Sequence, residues 1–419
     1  MKKAFQLATA LILIFILGEA AIFAVGLLPQ EPIKASIEES LPQLELEYSK
    51  QYVLHDKSRN GIGNFTDCLI LNLSYYSDTK TDPMAMLSNP RFREKGESTV
   101  SDLHMLTGGN VANSNYINYC MGYRVWMRPL LTVFNYMQIR SILSSLLWVL
   151  FGFSIFTVFR VTKSEFFSAL YVICFVALNP IGIAGTLSYM DCYLIAFLGV
   201  LLVPSALRRA ERSSIYIPMM FLALGAVTQF FDFYTNPLIT FAFPMIVLLY
   251  AQQASRNDIA PRDFFRVFLS GFAVWMIGYV GIWLLKLLST AVLTNLDVLS
   301  VTTEVLHESF GISKTLGTYF ETLAASARNI LTPEILIAML IAVGVGVVRF
   351  VKQPNRKINL NRSWVFLAIG AISLVWVLFS KRTIEHINFQ YRTFGVLILG
   401  VFAFLSSATD KHPPNTESL

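Results

Sequence analysis

What most limits this chain is a succession of apolar runs of roughly 20 residues, the length a helix needs to cross about 30 Å of hydrocarbon. They fall at 4–28, 138–159, 166–183, 189–204, 215–231, 237–252, 267–293, 330–350, 363–380 and 393–408. A soluble core has no use for such runs. With 54% of its residues hydrophobic, 14% charged and a mean hydropathy of +0.55, the chain is expected to be an all-α integral membrane protein of about ten transmembrane helices. The first run is longer than the apolar core of a signal peptide, about 7–15 residues, so it is expected to stay as the first span.

The net charge of +6 reads as topology. Lys and Arg concentrate in short segments between runs: Arg160 and Lys163; Arg208, Arg209 and Arg212; Arg256, Arg262 and Arg266; Arg349, Lys352, Arg356, Lys357 and Arg362. Threading the chain through its ten runs puts all four segments on one side. The positive-inside rule makes that side the cytoplasm and places both termini there, in a multi-pass cell-membrane protein. No basic surface interleaved with aromatics is evident, so nucleic acid is not an expected partner; the lipid bilayer is. The threading requires runs 166–183 and 189–204 to be separate, and Asn179-Pro180 with Gly182 supplies the break. Residues 1–408 then form a single transmembrane domain. It carries a large first external loop, 29–137, with amphipathic interfacial helices, and a second long external loop, 294–329. The segment 409–419 is expected to be a short disordered cytoplasmic tail. Cys68 and Cys120 share the first loop, where an external location would let a disulfide persist, while two free buried thiols are the competing expectation.

Uncommon polar residues gather on the external side. In Gly61-Ile62-Gly63-Asn64-Phe65-Thr66-Asp67, turn residues lead into an apolar segment. The pattern puts Thr66 or Asp67 near a helix N-cap; Asp67 is either that cap or a general base at the membrane surface. Asp191 opens the fourth run, where the helix dipole alone would favour a carboxylate. Asp232 lies in Thr228-Gln229-Phe230-Phe231-Asp232-Phe233-Tyr234-Thr235-Asn236-Pro237; an interfacial belt accounts for its aromatics but not for Asp, Gln and Asn among them. The loop Lys381-Arg382-Thr383-Ile384-Glu385-His386-Ile387-Asn388-Phe389-Gln390-Tyr391-Arg392 carries three basic residues and a His against the topological rule. Phosphate or anionic headgroups would account for Lys381, Arg382, His386 and Arg392. Arg124 and Arg128, among Tyr123, Trp126 and Pro129, suit a snorkelling interfacial helix or the border of a lipid-substrate groove. Glu304, His307 and Glu308 do not follow a zinc spacing. Neither a nucleophile elbow nor a phosphate-binding glycine loop is present.

An early span, a large first external loop with an acid soon after its entry, about ten spans and polar residues along the outer face together resemble the GT-C class of membrane glycosyltransferases. The resemblance implies a polyprenyl-phosphate sugar donor and a cell-envelope glycan or polymer acceptor. Asp67 would be the base, Lys381, Arg382 and Arg392 would hold the donor phosphate, and Asp191 and Asp232 would orient sugar hydroxyls or a divalent Mg or Mn ion. The stretch 119–140 is also similar to uncharacterised Gram-positive membrane proteins that carry a Trp-His pair where this chain has Cys120-Met121. The expected function is therefore sugar transfer on the extracytoplasmic face. The rival is a transporter or flippase of a lipid-linked or anionic envelope precursor, which would need ionisable groups deeper in the bilayer.

Overall fold

The computed structural model describes residues 2–50, 63–75, 85–255, 260–309, 316–352 and 356–410. Helix α1 (Lys2–Gly26) is followed by a layer built from the first loop: α2 (Gln30–Lys50), α3 (Asn64–Tyr75), α4 (Ala85–Ser88), α5 (Thr99–Thr107) and α6 (Arg124–Leu131). A short ribbon, β1 (Pro90–Arg91) against β2 (Ser114–Asn115), closes this layer. Ile33, Ile37, Leu41 and Leu44 form the buried stripe of α2, while Lys34 and Glu38 pair on its outer face. That spacing is the apolar face of a 3.6-residue period, and it rests on α3, α5 and α6.

The bundle proper holds α7 (Tyr136–Thr162), α8 (Glu165–Ala177), α9 (Pro180–Ala184), α10 (Leu187–Ala210), α11 (Tyr216–Phe231), α12 (Pro237–Ser255) and α13 (Pro261–Leu293). Then come α14 (Val298–Ser309), α15 (Leu316–Ile330), α16 (Pro333–Val351), α17 (Arg356–Phe379), α18 (Lys381–Glu385), α19 (Ile387–Gln390), a 3-10 turn (Tyr391–Phe394) and α20 (Gly395–Thr409). The protein is an all-α polytopic membrane protein. Among the described residues eight helices are long and apolar enough to cross a bilayer: α1, α7, α10, α12, α13, α16, α17 and the stretch Ile387–Thr409. The sequence expectation of about ten spans includes α8 and α11, which are shorter apolar helices. Helix α8 ends early because Asn179 takes a left-handed conformation (φ 59°) and Pro180 starts a new turn without an N–H to continue the old one.

Hydrogen bonds identify two ends of the bundle. At one, Lys3 Nζ donates to Ser214 Oγ at 2.5 Å and Tyr250 OH meets Ser164 and Ser406. Arg349 pairs there with Asp410 at 2.6 Å. At the other lie the first-loop layer, the start of α10, the 232–236 turn and Arg392. Both α8 and α11 run between these ends: α8 begins beside Ser406 and finishes where the Leu178 carbonyl accepts from Arg392 Nε at 3.0 Å.

Close helix contact depends on missing side chains. A Cβ on Gly225 would come within 2.0 Å of the Trp275 carbonyl oxygen, and one on Gly278 within 2.3 Å of the Leu222 carbonyl, so α11 and α13 touch backbone to backbone. Gly400 does the same for α20 against α17, its Cβ position lying 2.6 Å from the Phe366 carbonyl. In lipid, where apolar burial gives helices little reason to associate, such close approach supplies the dispersion contact that holds them.

Candidate functional site

The first-loop acid does not cap its own helix. Helix α3 starts at Asn64, so Asp67 stands inside the first turn and reaches across to α10. Its Oδ2 accepts from Tyr136 OH at 2.5 Å and from Leu187 N at 2.9 Å, and its Oδ1 from Ser188 N at 3.2 Å. Thr186, the residue before α10, gives those amides no side-chain cap. Asp67 therefore supplies in trans the acceptor that the helix N-terminus lacks. Burial pushes its carboxyl above the ordinary value of 3.8, against the pull of Tyr136, the two amides and Arg140.

A second group of partners holds that contact in place. Arg140 makes two bonds to Glu47, at 2.8 and 2.7 Å, and lies over the Tyr136 ring at 5.3 Å. Tyr136 N donates to Ser40 Oγ and Asn64 Nδ2 to the Leu44 carbonyl, so α2, α3 and α7 are tied together around Asp67.

Asp191 and Asp232 converge with Asp67: both lie within electrostatic reach of Asp191, and all three acids are buried. Asp232 ends α11, and its carboxylate is taken by its own turn, accepting from Thr235 N at 2.9 Å and Thr235 Oγ1 at 2.6 Å. Burial raises this carboxyl too, the Thr235 donors opposing it. Asp191 differs from both, since its Oδ2 is buried without a hydrogen-bond partner among the described residues. Further orphaned atoms occur at the same end: Ser188 Oγ, Tyr193 OH, Asn236 Nδ2 and Tyr391 OH.

Aromatic rings wall these acids in two series. Tyr116 stacks on Tyr119 at 5.2 Å, Tyr119 meets Phe233 at 5.6 Å, and Phe233 stacks on Tyr123 at 5.0 Å. Tyr123 lies within electrostatic reach of Asp191. On the other side His386 stacks on Phe389 and Phe389 on Tyr189, both at 5.4 Å. Arg392 sits between the Tyr189 and Tyr391 rings at 4.7 and 4.8 Å, and Tyr189 feels both it and Asp67.

The basic residues expected from sequence have separate places. Arg392 is buried and donates to the Leu178 and Phe389 carbonyls. Lys381 Nζ instead donates to the His307 carbonyl at 2.6 Å, joining α18 to α14. The side chains of Arg382, Glu304 and Glu308 lie outside the described residues. Arg128 does not snorkel: it is buried and donates to the carbonyls of Val25, Leu28, Ser74 and Tyr75, closing the C-terminal ends of α1 and α3 together. Burial and then Arg124 lower its guanidinium to about 10. Arg124 is fully buried as well, with a single bond among the described residues, from Nη1 to Asn89 Oδ1 at 3.2 Å. All four cysteines are free and buried, Cys68 donating to Asn64 Oδ1, so the Cys68–Cys120 disulfide is not formed.

Asp191 and Asp232 do not make a fit cradle for a divalent ion. Asp232 already spends its oxygens on Thr235, and among the described residues no group of three His, Cys, Asp or Glu is arranged to hold a metal. Sequence reasoning missed Tyr136, Tyr189, Arg140 and Glu47, which no local pattern marks. It also missed Glu19, a lone acid within the first apolar run, which pairs with Lys286 of α13 at 3.4 Å. An ionisable residue inside a span is a signal in itself. The chain matches no protein-family model, no curated protein and no solved structure.

Proposed function

We propose that this protein is a multi-pass membrane glycosyltransferase of about ten spans. It transfers a sugar from a polyprenyl-phosphate donor to a cell-envelope acceptor at the end of the bundle that carries the acids. The basic loops join at the opposite end, and the positive-inside rule assigns that end, with both termini, to the cytoplasm. The observation that carries the reading is the buried, unpartnered Oδ2 of Asp191 beside two further acids and a wall of aromatic rings. Rings that stack on sugar faces, with carboxylates that accept from hydroxyls, are the chemistry of a glycan site.

In this reading the base is Asp191 rather than Asp67. Asp67 is saturated by three donors and Asp232 by Thr235, which leaves Asp191 as the acid of the three with a vacant oxygen. In the proposed step the acceptor oxygen attacks the anomeric carbon while Asp191 takes its proton. The bond from that carbon to the phosphate oxygen breaks, and polyprenyl phosphate leaves with the electron pair. Asp67 positions Asp191 by fixing the first amides of α10, and the buried charge of Arg392 favours the negative charge that grows on the leaving group.

The test is transfer of labelled sugar from polyprenyl-phosphate donors by full-length protein in liposomes. Asp191→Asn is expected to lower transfer by ~10²–10⁴-fold, the range of a general base, with binding of donor retained. Equal rates for wild type and Asp191→Asn would remove the base assignment. The Lys286–Glu19 pair inside α13 and α1 favours a second reading, movement of an anionic lipid. No transfer with a broad panel of donors and acceptors, together with wild-type-dependent change of leaflet by the labelled lipid, would put that reading in its place.

A further inference from the structure

Arg124 poses a charge problem that the described residues do not solve. Its side chain is fully buried, Nη1 is bonded to Asn89, and Nε and Nη2 have no partner among the described residues. A guanidinium cannot relieve burial by losing its proton under ordinary conditions, so it needs an anion or a full set of acceptors. The acid within electrostatic reach of it is Glu19, whose two oxygens lie 3.4 and 3.5 Å from Lys286 Nζ. Cys120 lies within reach of the same Glu19 and Lys286. With Arg128, which lies within electrostatic reach of Arg124, three cations and one anion are thus gathered from α6, α13 and α1, leaving positive charge uncompensated among the described residues in a low-dielectric setting.

The orphaned atoms also say what kind of anion fits. Nε and Nη2 form one edge of the guanidinium, presenting two parallel N–H groups with the spacing of two oxygens on a single centre. A halide would use one point of that fork; an oxyanion uses both. The place suits a lipid headgroup, since Glu19 keeps 16% of its side chain exposed on the outward-facing helix α1, and the Arg128 bond to the Val25 carbonyl seats α6 against the end of that helix.

We propose that Arg124, with the Glu19–Lys286 pair beside it, binds one phosphate-type oxyanion, a monoester or diester, through the Nε–Nη2 edge. The site is separate from the Asp191 carboxylate and holds whether or not the acids transfer a sugar. Its anion comes from a phospholipid headgroup or from free phosphate.

The test uses full-length protein in detergent with phosphatidylglycerol and sodium phosphate as separate probes, read by native mass spectrometry and by the shift in thermal midpoint. Wild type is expected to retain one equivalent of a phosphate-bearing ligand. Arg124→Lys, which keeps the charge but loses the fork, is expected to weaken it by about tenfold or more. Glu19→Gln raises the local charge and is expected to tighten binding; it keeps the proposal testable should Arg124→Lys fold poorly. Retention of the lipid without competition by phosphate identifies a headgroup, and displacement by phosphate identifies the free ion. Equal binding by wild type, Arg124→Lys and Glu19→Gln, or equal stabilisation by chloride, overturns it.

Discussion

The two ends of the bundle both bury polar clusters, and among the described residues they differ in how far those clusters are satisfied. At the basic end Tyr250 OH bonds Ser406 at 2.8 Å and also reaches Asp410, which takes Arg349 at 2.6 Å. Beside it Ser407 donates to Gln253 at 2.5 Å, Ser363 to Ser407 at 2.9 Å, and Gln253 to the Arg362 carbonyl at 2.8 Å. No side chain named in that cluster has an orphaned polar atom. At the acid end Asp191, Ser188, Tyr193, Asn236, Tyr391 and Arg124 all do. Buried polar groups are normally satisfied, because an unmet donor or acceptor costs about 1–3 kcal/mol. The unmet atoms at the acid end are what both proposals rest on: each supplies a partner from outside the chain.

Looseness is the competing explanation, and Arg128 separates the two. If the acid end were merely ill-packed, its arginines would be dispensable. Arg128 instead donates to four carbonyls at the ends of α1 and α3, so Arg128→Gln, which leaves several buried carbonyls unmet at about 1–3 kcal/mol each, is expected to cost about 3–5 kcal/mol. Urea or thermal unfolding in detergent measures it. A loss under about 1 kcal/mol would mean that this end is soft throughout.

A matched pair of tyrosines sharpens the comparison at smaller scale. Tyr250→Phe removes the hydroxyl at the hub of the closed cluster and is expected to destabilise by about 1–3 kcal/mol. Tyr193→Phe removes a buried hydroxyl with no partner and is expected to change stability by less than about 0.5 kcal/mol, or to raise it. Similar losses in the two variants would erase the distinction between the ends.

How far the sequence revealed this arrangement depends on the range of the interaction. Local signals were legible: apolar runs marked the eight long apolar helices, and Asn179-Pro180 gave the break after α8. The shortness of α8 and α11 was less so, since apolar composition continues past their ends into turns. Asp67, Asp191 and Asp232 stood out because acids are rare near apolar runs. Their partners did not, because Asp67 meets Tyr136 and Leu187 from distant parts of the chain, and no periodicity records such a contact. Lys381 shows the converse: a conspicuous charge whose ammonium goes to the His307 carbonyl.

The smallest expected effect tests whether the Asp67 contact is a cap or a spare acid. Burial raises its carboxyl above 3.8, so the folded state holds the Asp67 proton more tightly than the unfolded chain does. A group shifted upward contributes stability that is complete below its unfolded value and is lost as pH rises through the folded one. Wild type is therefore expected to lose part of its thermal midpoint across a window that starts above 3.8. Asn at this position has no proton to release, and its carbonyl still accepts from the α10 amides. Asp67→Asn is expected to flatten the curve in that window while running parallel to wild type at higher pH. Scanning both proteins from about pH 4 to pH 8 in one detergent isolates the group, because every other titrating residue is shared. Parallel curves throughout would mean that Asp67 keeps an ordinary affinity for its proton, and that Tyr136 with the Leu187 and Ser188 amides offsets the whole penalty of burying its charge.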